Sequence, residues 1–376
     1  MPVKEPTFTF GIEEEYHLVD RSTRDLAAAP QAMMDTCLAK LGGQVSPEFL
    51  KSQIEIGTPV CRDFREVRQH LADMRGTIGE VAAGFGLAPI AASTHPIARP
   101  GQQAPTDKER YQSLARDLQA VGRRLVICGM HVHCGIDDDE LRIDLMNQVR
   151  YFLPHLLVLS TSSPFWGGES TGLKSYRLSV MDQLPRTGLP GRLAGWAEYR
   201  RTVDVLVKAG VIEDATKIWW DLRPSDRFPT LEMRITDVCT RLDDAVAIAA
   251  LFVCFCRALY RLRRNNQSWR TYPVFLLEEN RWRAQRYGVQ GSLFDFGKGT
   301  LEPFHDLMNE IQALVAEDAV ALGCEAEIAR AGAIVQEGTS ADRQVATYER
   351  LLGSGASQRQ ALEGVVDMLI AETLTS

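Results

Sequence analysis

The chain has 376 residues, 45% hydrophobic and 24% charged, an ordinary globular composition with ample material for a large core. Its formal net charge of −7 gives no global attraction for nucleic acid, so an anionic ligand must be drawn in by a local site. Eight cysteines without a CxxC pair, and an N-terminus (MPVKEPTFTFG) without an apolar leader, predict reduced thiols and a cytoplasmic location.

In chain order, residues 7–20 (TFTFGIEEEYHLVD) are rich in Phe, Thr, Ile, Tyr and Val and predict a strand. SQIEIGT, around Gln53 and Glu55, is a second strand-like stretch. Val67, Leu71, Met74, Ile78 and Val81 recur at helical spacing and predict a helix over 63–84. A strand follows over 87–93, then a helix over 106–122, a strand over 125–136 and an amphipathic helix over 139–160. Residues 162–195 are dense in Gly, Pro and Ser, with two proline turns in LPRTGLPG. So long an irregular segment is expected to be a binding loop and a candidate cover for a site. After Trp196 a helix leads to strands over 218–222 and 230–236.

From Asp243 onward the spacing predicts helices over 243–264, 278–288, 302–318, 340–352 and 357–374. The most apolar stretch, Ala245 to Tyr260, ends in RLRRNN and reads as a buried helix with a basic last turn rather than a bilayer span. The pattern as a whole predicts an α+β fold around one antiparallel-rich sheet, without internal repeats. It is expected to be a single domain over 1–376, with a sheet-bearing part (1–240) and a mostly helical part (241–376) packed on it.

Four strand-like segments carry functional groups on alternate residues, which point to one face of a strand. In GMHVHCGI, Gly129, His131, His133 and Gly135 oppose Cys128, Met130, Val132, Cys134 and Ile136. In TLEMRITD, Glu232 and Arg234 oppose Leu231, Met233 and Ile235; in SQIEIGT, Gln53 and Glu55 oppose Ile54 and Ile56. Glu13 and Glu15 share a face of the first strand, while Glu14 falls on the apolar side and needs a partner or a wet edge. In KIWWDLR, Trp219, Asp221 and Arg223 share a side. A lone E-x-E is most often a solvated face, and E-x-R is very often an intrastrand ion pair. The coincidence of four segments, each apolar on one side and functional on the other, points instead to one cavity. Converging carboxylates repel unless cations are bound, hard divalent cations prefer carboxylate and phosphate oxygens, and an arginine fork suits a phosphate oxygen. The set therefore describes a site for a metal–nucleotide. P-loop, GxGxxG and G-x-S-x-G motifs are all absent, so ATP would not be held by a Walker or Rossmann cradle.

In this order, GIEEEYHLVD, IEIGTPV, STHP, GMHVHCGI, SSPFWGGESTGLKSYR, LPRTGLPG, IWWDLRPS and PTLEMRITD resemble the carboxylate–amine ligase family related to type 2 glutamate–cysteine ligases. The resemblance covers residues 11–240 fairly continuously. It implies a glutamine-synthetase-like catalytic fold, a curved, mainly antiparallel sheet with flanking helices and a helical C-terminal part. It also implies ATP with Mg²⁺ or Mn²⁺. Glu13, Glu15, Glu55, His131 and Glu232 match the metal ligands, and Arg234 would contact the transferring phosphoryl group. His133 is expected at the nucleotide, and Arg177 and Arg223 in the same cavity, holding a carboxylate or a phosphate. The implied reaction phosphorylates a carboxylate, expected to be the side chain of glutamate, and lets an amine displace the phosphate; cysteine is the candidate amine. Alternatives are a guanidino-kinase-like phosphotransferase, a metal-dependent hydrolase using the His pair, and a degenerate nucleotide-binding protein. Small-molecule substrates, no nucleic acid, no membrane and a homodimer complete the expectations.

Overall fold

Seven strands form one sheet in the computed structural model, which describes residues 4–375. They are β1 (Phe10–Asp20), β2 (Val45–Pro47), β3 (Gln53–Gly57), β4 (Leu87–Ile90), β5 (Met130–Gly135), β6 (Leu222–Pro224) and β7 (Thr230–Met233). Their order is β6-β7-β5-β1-β3-β2, with β4 paired to the C-terminal half of β1, and every pairing is antiparallel. This is the α+β, mainly antiparallel architecture expected from the sequence. Pro47 sits in β2 at the sheet edge, where a missing amide hydrogen costs no ladder bond.

Along β1, residues 10–16 alternate between buried and half-buried, as their apolar and polar side chains demand. Phe10, Ile12, Tyr16, Ile54, Ile56, Met130, Val132, Cys134, Leu231 and Met233 join one hydrophobic cluster. The helices Phe64–Ala83 and Leu242–Arg264 contribute to the same cluster. Asp63 caps the first of these helices by accepting from the Arg65 amide. The second has Asp243 and Asp244 in its first turn and Arg261, Arg263 and Arg264 in its last, both favourable to the helix dipole. Its length and apolarity would suit a membrane span, but it is the core helix of this fold and most of it is buried inside the protein.

Several boundaries differ from the sequence reading. The strand expected over 125–136 begins only at Met130, after a 3₁₀ turn at Gly122–Arg124. The helix expected over 139–160 divides into Asp139–Val149 and Leu153–Ser160; Pro154 lies in the first turn of the second, where its missing N–H is harmless. Residues 218–222 also divide: Trp219–Trp220 pairs in parallel with Thr187–Gly188, and Leu222 begins β6. Thr300–Pro303 pairs with Ser292–Asp295 before the helix Phe304–Leu322 starts. Helices Gln31–Leu41 and Glu325–Glu337 had no periodic signal strong enough to predict them. Each buries only three residues, several of them small or atypical: Met33, Met34 and Cys37 in one, Ile328, Ala331 and Ile334 in the other.

Candidate active site

Glu14 fixes the face that β1 presents. It points into the core and is fully buried, where it meets Arg75 of the helix Phe64–Ala83 in a two-pronged pair at 2.9 and 2.6 Å. The Tyr16 hydroxyl donates to the same carboxylate. Arg75 also donates to the carbonyls of Thr240 (2.7 Å) and Cys239 (2.9 Å), so the pair anchors the segment after β7 as well. The partner that the sequence required for Glu14 thus comes from a helix 61 residues away. With Glu14 held behind the sheet, Glu13 and Glu15 must face the opposite side.

On that side Glu13, Glu15, Gln53, Glu55, His131, His133, Glu232, Arg177, Arg223 and Arg234 all line one cavity of about 310 Å³. The sequence-predicted set is therefore brought together by strand register. Glu13 is opposite His131, Glu15 opposite Glu55, His133 opposite Glu232, and Glu232 opposite Arg223. Two groups of cavity-lining residues have ligand atoms mutually within 4.8 Å: Glu13, His133 and Glu232, and Glu15, Glu48 and Glu55.

Glu48 was not found from sequence. It lies just beyond β2 in SPEFL, outside any alternating stretch, and reaches the site only because β2 folds back beside β3. The two histidines also take distinct places. His133 Nδ1 is 2.9 Å from the Thr230 hydroxyl, while its buried Nε2 has no hydrogen-bond partner and faces Glu13 Oε1 at 3.3 Å. A ring nitrogen fixed by one partner with the other left aimed at carboxylates is the usual arrangement of a metal-binding imidazole. His131 Nδ1 instead contacts Glu13 (3.1 Å) and Arg234 (3.3 Å). His133, expected at the nucleotide, sits in a ligand group; His131, expected as a ligand, sits between Glu13 and Arg234.

The charges are unevenly compensated. Burial opposes ionisation of Glu13, but the imidazoles of His131 and His133 beside it hold its pKa well below the usual carboxylate range. Burial likewise opposes ionisation of Glu232, and Arg234 and Arg223 outweigh it, again depressing the pKa. Glu55 is the exception. Burial and the neighbouring carboxylates Glu48, Glu13 and Glu15 push its pKa well above normal, against a single Ser46 hydroxyl at 3.1 Å. Directly opposed like charges destabilise a sheet. An all-oxygen group short of positive charge fits a hard divalent cation, and a group of two carboxylates and an imidazole fits Mn²⁺ as well as Mg²⁺.

This imbalance has a measurable consequence. Because the folded-state pKa of Glu55 is raised, the unfolded chain releases its proton first as pH rises above about 4.5, and the metal-free fold loses stability from there upward. Glu55→Gln, which mimics the protonated carboxyl, is expected to raise the melting temperature of metal-free protein, by more at pH 8 than at pH 5. It should also lose most of the stabilisation that Mg²⁺ or Mn²⁺ gives the wild type, about 2.7 kcal/mol at a hundredfold excess over the dissociation constant. Thermal unfolding with and without metal at both pH values checks this; a variant less stable than wild type at pH 8 without metal refutes it.

The arginines are already engaged. Arg223 holds Glu232 through two contacts (2.9 and 3.1 Å) and donates to the carbonyls of Thr216 and Ile218. Arg234 donates to Glu232 from the other side. Arg177 is buried, donates to the carbonyls of Arg234 (3.2 Å) and Ile235 (3.3 Å), and leans over Gly129, where a Cβ would fall 2.5 Å from its Nη2. The room that Gly129 leaves is thus taken by Arg177.

The segment 162–195 forms a wall of the cavity and is pinned over its first half. Buried Asp237 accepts from the Ser162 amide (2.9 Å), the Ser163 hydroxyl (2.7 Å) and the Ser175 hydroxyl (3.0 Å), and Lys174 pairs with Asp342 at 2.7 Å. Met181 and Leu184 line the cavity from this wall. The turn between β6 and β7 also lines the cavity, through half-buried Ser225 and exposed Asp226, Arg227 and Phe228.

A family model described as glutamate–cysteine ligase family 2 matches residues 9–369. The chain is 59% identical over 377 residues to the "Putative glutamate--cysteine ligase 2" of Rhodospirillum rubrum, covering 99% of this chain and 97% of that one. It is 52% identical over 369 residues to the protein of the same name from Paracoccus denitrificans, covering 98% of each. Among solved structures, a glutamate–cysteine ligase from Francisella tularensis in complex with AMP superposes with a TM-score of 0.71 at 12% identity, over 100% of this chain and 91% of that one. A bifunctional glutathione synthetase from Pasteurella multocida gives 0.70 at 14% identity, over 97% of this chain and 52% of that one. These two likenesses establish a shared fold. With 361 consecutive positions spanned by the family model, the chain belongs to glutamate–cysteine ligase family 2.

Proposed function

We propose that this chain, an ATP-dependent carbon–nitrogen ligase by family, joins the side-chain carboxylate of glutamate to the amine of cysteine through an acyl phosphate. The observation that carries the reading is the pair of ligand groups on one sheet face, Glu13–His133–Glu232 and Glu15–Glu48–Glu55, with Arg234 beside the first. These residues would hold Mg²⁺ or Mn²⁺, which supplies charge neutralisation and alignment of the phosphates when bound.

In the first step a carboxylate oxygen of the acid attacks the γ-phosphorus of ATP, the bond to the bridging oxygen breaks, and ADP leaves. In the second the amine attacks the acyl carbon, phosphate leaves with the C–O bond electrons, and the amine gives up a proton. Arg234, at 15% side-chain exposure against Glu232, would receive a phosphoryl oxygen while Glu232 fixes its plane. Arg223 and Arg177 brace that arrangement, Arg223 through Glu232 and Arg177 through the Arg234 and Ile235 carbonyls. The wall from 162 to 195, clamped on Asp237, limits access of water to the acyl phosphate.

The test is ADP release with glutamate and cysteine in the presence of Mg²⁺ or Mn²⁺, with products identified by mass spectrometry. Equal amounts of ADP, phosphate and γ-glutamylcysteine are expected. Another amide in place of γ-glutamylcysteine keeps the ligase and overturns the substrate pair. A phosphorylated guanidine, or turnover without ATP, overturns the reaction.

We further propose that 1–240 and 241–376 act as one domain, since Ile12, Val132 and Met233 share a hydrophobic cluster with residues of Leu242–Arg264 and Glu325–Glu337. Eight free, buried cysteines support a cytoplasmic location. Phe275 and Trp282, exposed on the helix Val274–Tyr287, support a homodimer, which sedimentation equilibrium would detect.

A further inference from the structure

Five cationic side chains line the cavity, and four of them are committed to the protein. Arg177 is held by backbone carbonyls, Arg223 and Arg234 by Glu232, and Lys217 by Glu213 at 3.3 Å. The fifth, Arg227, has no hydrogen-bond or ion-pair partner for its guanidinium among the described residues. It is exposed at the tip of the β6–β7 turn, and it lines not only this cavity but two more, of about 610 and 240 Å³. The tip therefore borders three cavities, the first two of which also share Glu13 and His133 in their linings.

The turn is built to hold its tip in place. The Ser225 amide donates to the Thr230 carbonyl (3.0 Å), and the amides of Arg227 and Phe228 both lie 3.4 Å from the Ser225 hydroxyl. The Pro229 carbonyl accepts from the Ile136 amide at 2.9 Å, tying the base of the turn to the end of β5. Phe228 stands edge-on to the His133 ring, centroids 6.2 Å apart, yet leaves 56% of its surface exposed. An unpaired guanidinium and a half-exposed phenyl ring, held together beside a cavity lined by ionisable groups, are both surfaces that a bound ligand would satisfy.

We propose that Arg227 is a substrate-binding residue that grips an oxyanion in the cavities it borders, with Phe228 shielding the contact from water. The oxyanion is either a phosphate of the nucleotide or the α-carboxylate of the amino-acid substrate. Both present two anionic oxygens on one atom, the pair that a guanidinium fork recognises. The proposal rests on the ligase reading above. It differs from the roles of Arg177, Arg223 and Arg234 because each of those already has a partner within the protein, whereas the Arg227 guanidinium has its full donor set to offer.

The experiment compares wild type, Arg227→Gln and Arg227→Lys by calorimetric binding of Mg²⁺–ATP and, separately, of glutamate, neither of which requires turnover. Thermal unfolding is run alongside. Arg227→Gln is expected to weaken one of the two ligands by about tenfold to a hundredfold, the worth of a charge-assisted contact. Arg227→Lys should recover part of that loss, and the melting temperature should not move because the side chain has no protein partner to lose. Weakened ATP identifies phosphate, and weakened glutamate identifies the carboxylate. Dissociation constants within twofold of wild type for both ligands overturn the proposal. If γ-glutamylcysteine synthesis fails but ATP binding still depends on Arg227, the substrate assignment falls and the role of Arg227 stands. A wild type that binds neither ligand overturns both.

Discussion

Replacing Glu232 by glutamine is expected to lower kcat/KM for ATP-dependent amide synthesis by about 10²–10³-fold, the usual cost of removing one preorganised electrostatic element from a site. Glu232 is 2% exposed and stands between Arg223 and Arg234, while sharing a ligand group with Glu13 and His133. A neutral amide loses one charge toward a cation and leaves two guanidinium groups facing each other around it. Its NH₂ group also has to point at an arginine N–H. The change should therefore destabilise the protein too, by up to about 3–5 kcal/mol, as breaking a buried pair does. The depressed pKa of Glu232 means that its contribution to stability is present above about 4.5 and fades as pH falls toward its folded value. The contrast with Glu55→Gln is diagnostic, because both variants lose metal-dependent activity but only Glu55→Gln becomes more stable without metal. Initial rates of ADP release across a Mn²⁺ titration, with circular dichroism to verify folding, measure the effect. Activity of Glu232→Gln within threefold of wild type would falsify its place in the site.

The second large effect lies behind the sheet. Arg75→Met should cost about 3–5 kcal/mol, because it strands the fully buried Glu14 carboxylate without its charge partner. That is a large part of the 5–15 kcal/mol that holds typical domains folded. Burial opposes the charge on Arg75, and the Glu14 carboxylate beside it holds the guanidinium protonated more firmly than normal. Glu14→Gln combined with Arg75→Met is expected to be less destabilised than the two single changes summed, since no unpaired charge remains. Urea unfolding of the three variants supplies the cycle; an Arg75→Met loss below about 1 kcal/mol would show that water reaches Glu14. The functional stake is register. A one-residue slip of β1 would turn Glu13 and Glu15 into the core and Glu14 into the cavity, so the buried pair keeps the ligand face of the strand outward.

The alternating residues were legible because side-chain direction in a strand is a local property with a period of two. Glu13, Glu15, Glu55, His131, His133, Glu232 and Arg234 all reach the cavity that their faces predicted. The central helix Leu242–Arg264 and its basic end were legible for the same kind of reason, a sustained apolar run with charged termini. Where the sequence was silent, the determining contact joins residues far apart in the chain. Glu48 lies outside every periodic segment and is placed by the pairing of β2 with β3. The partner of Glu14 is 61 residues distant, and the clamp that makes 162–195 a wall is Asp237, far downstream.

The amino-acid sequence by itself determined which strand-borne ionisable groups face the cavity, since each strand sorts its own side chains by alternation. Only the tertiary structure decided how those groups combine. Cross-strand register set Glu15 against Glu55 and His133 against Glu232, and the Thr230 hydroxyl fixed which nitrogen of His133 faces the carboxylates. Glu232 and backbone carbonyls drew in three of the arginines and left Arg227 with its donors unspent. Distances between strands depend on the closure of the whole sheet, and no local pattern encodes them.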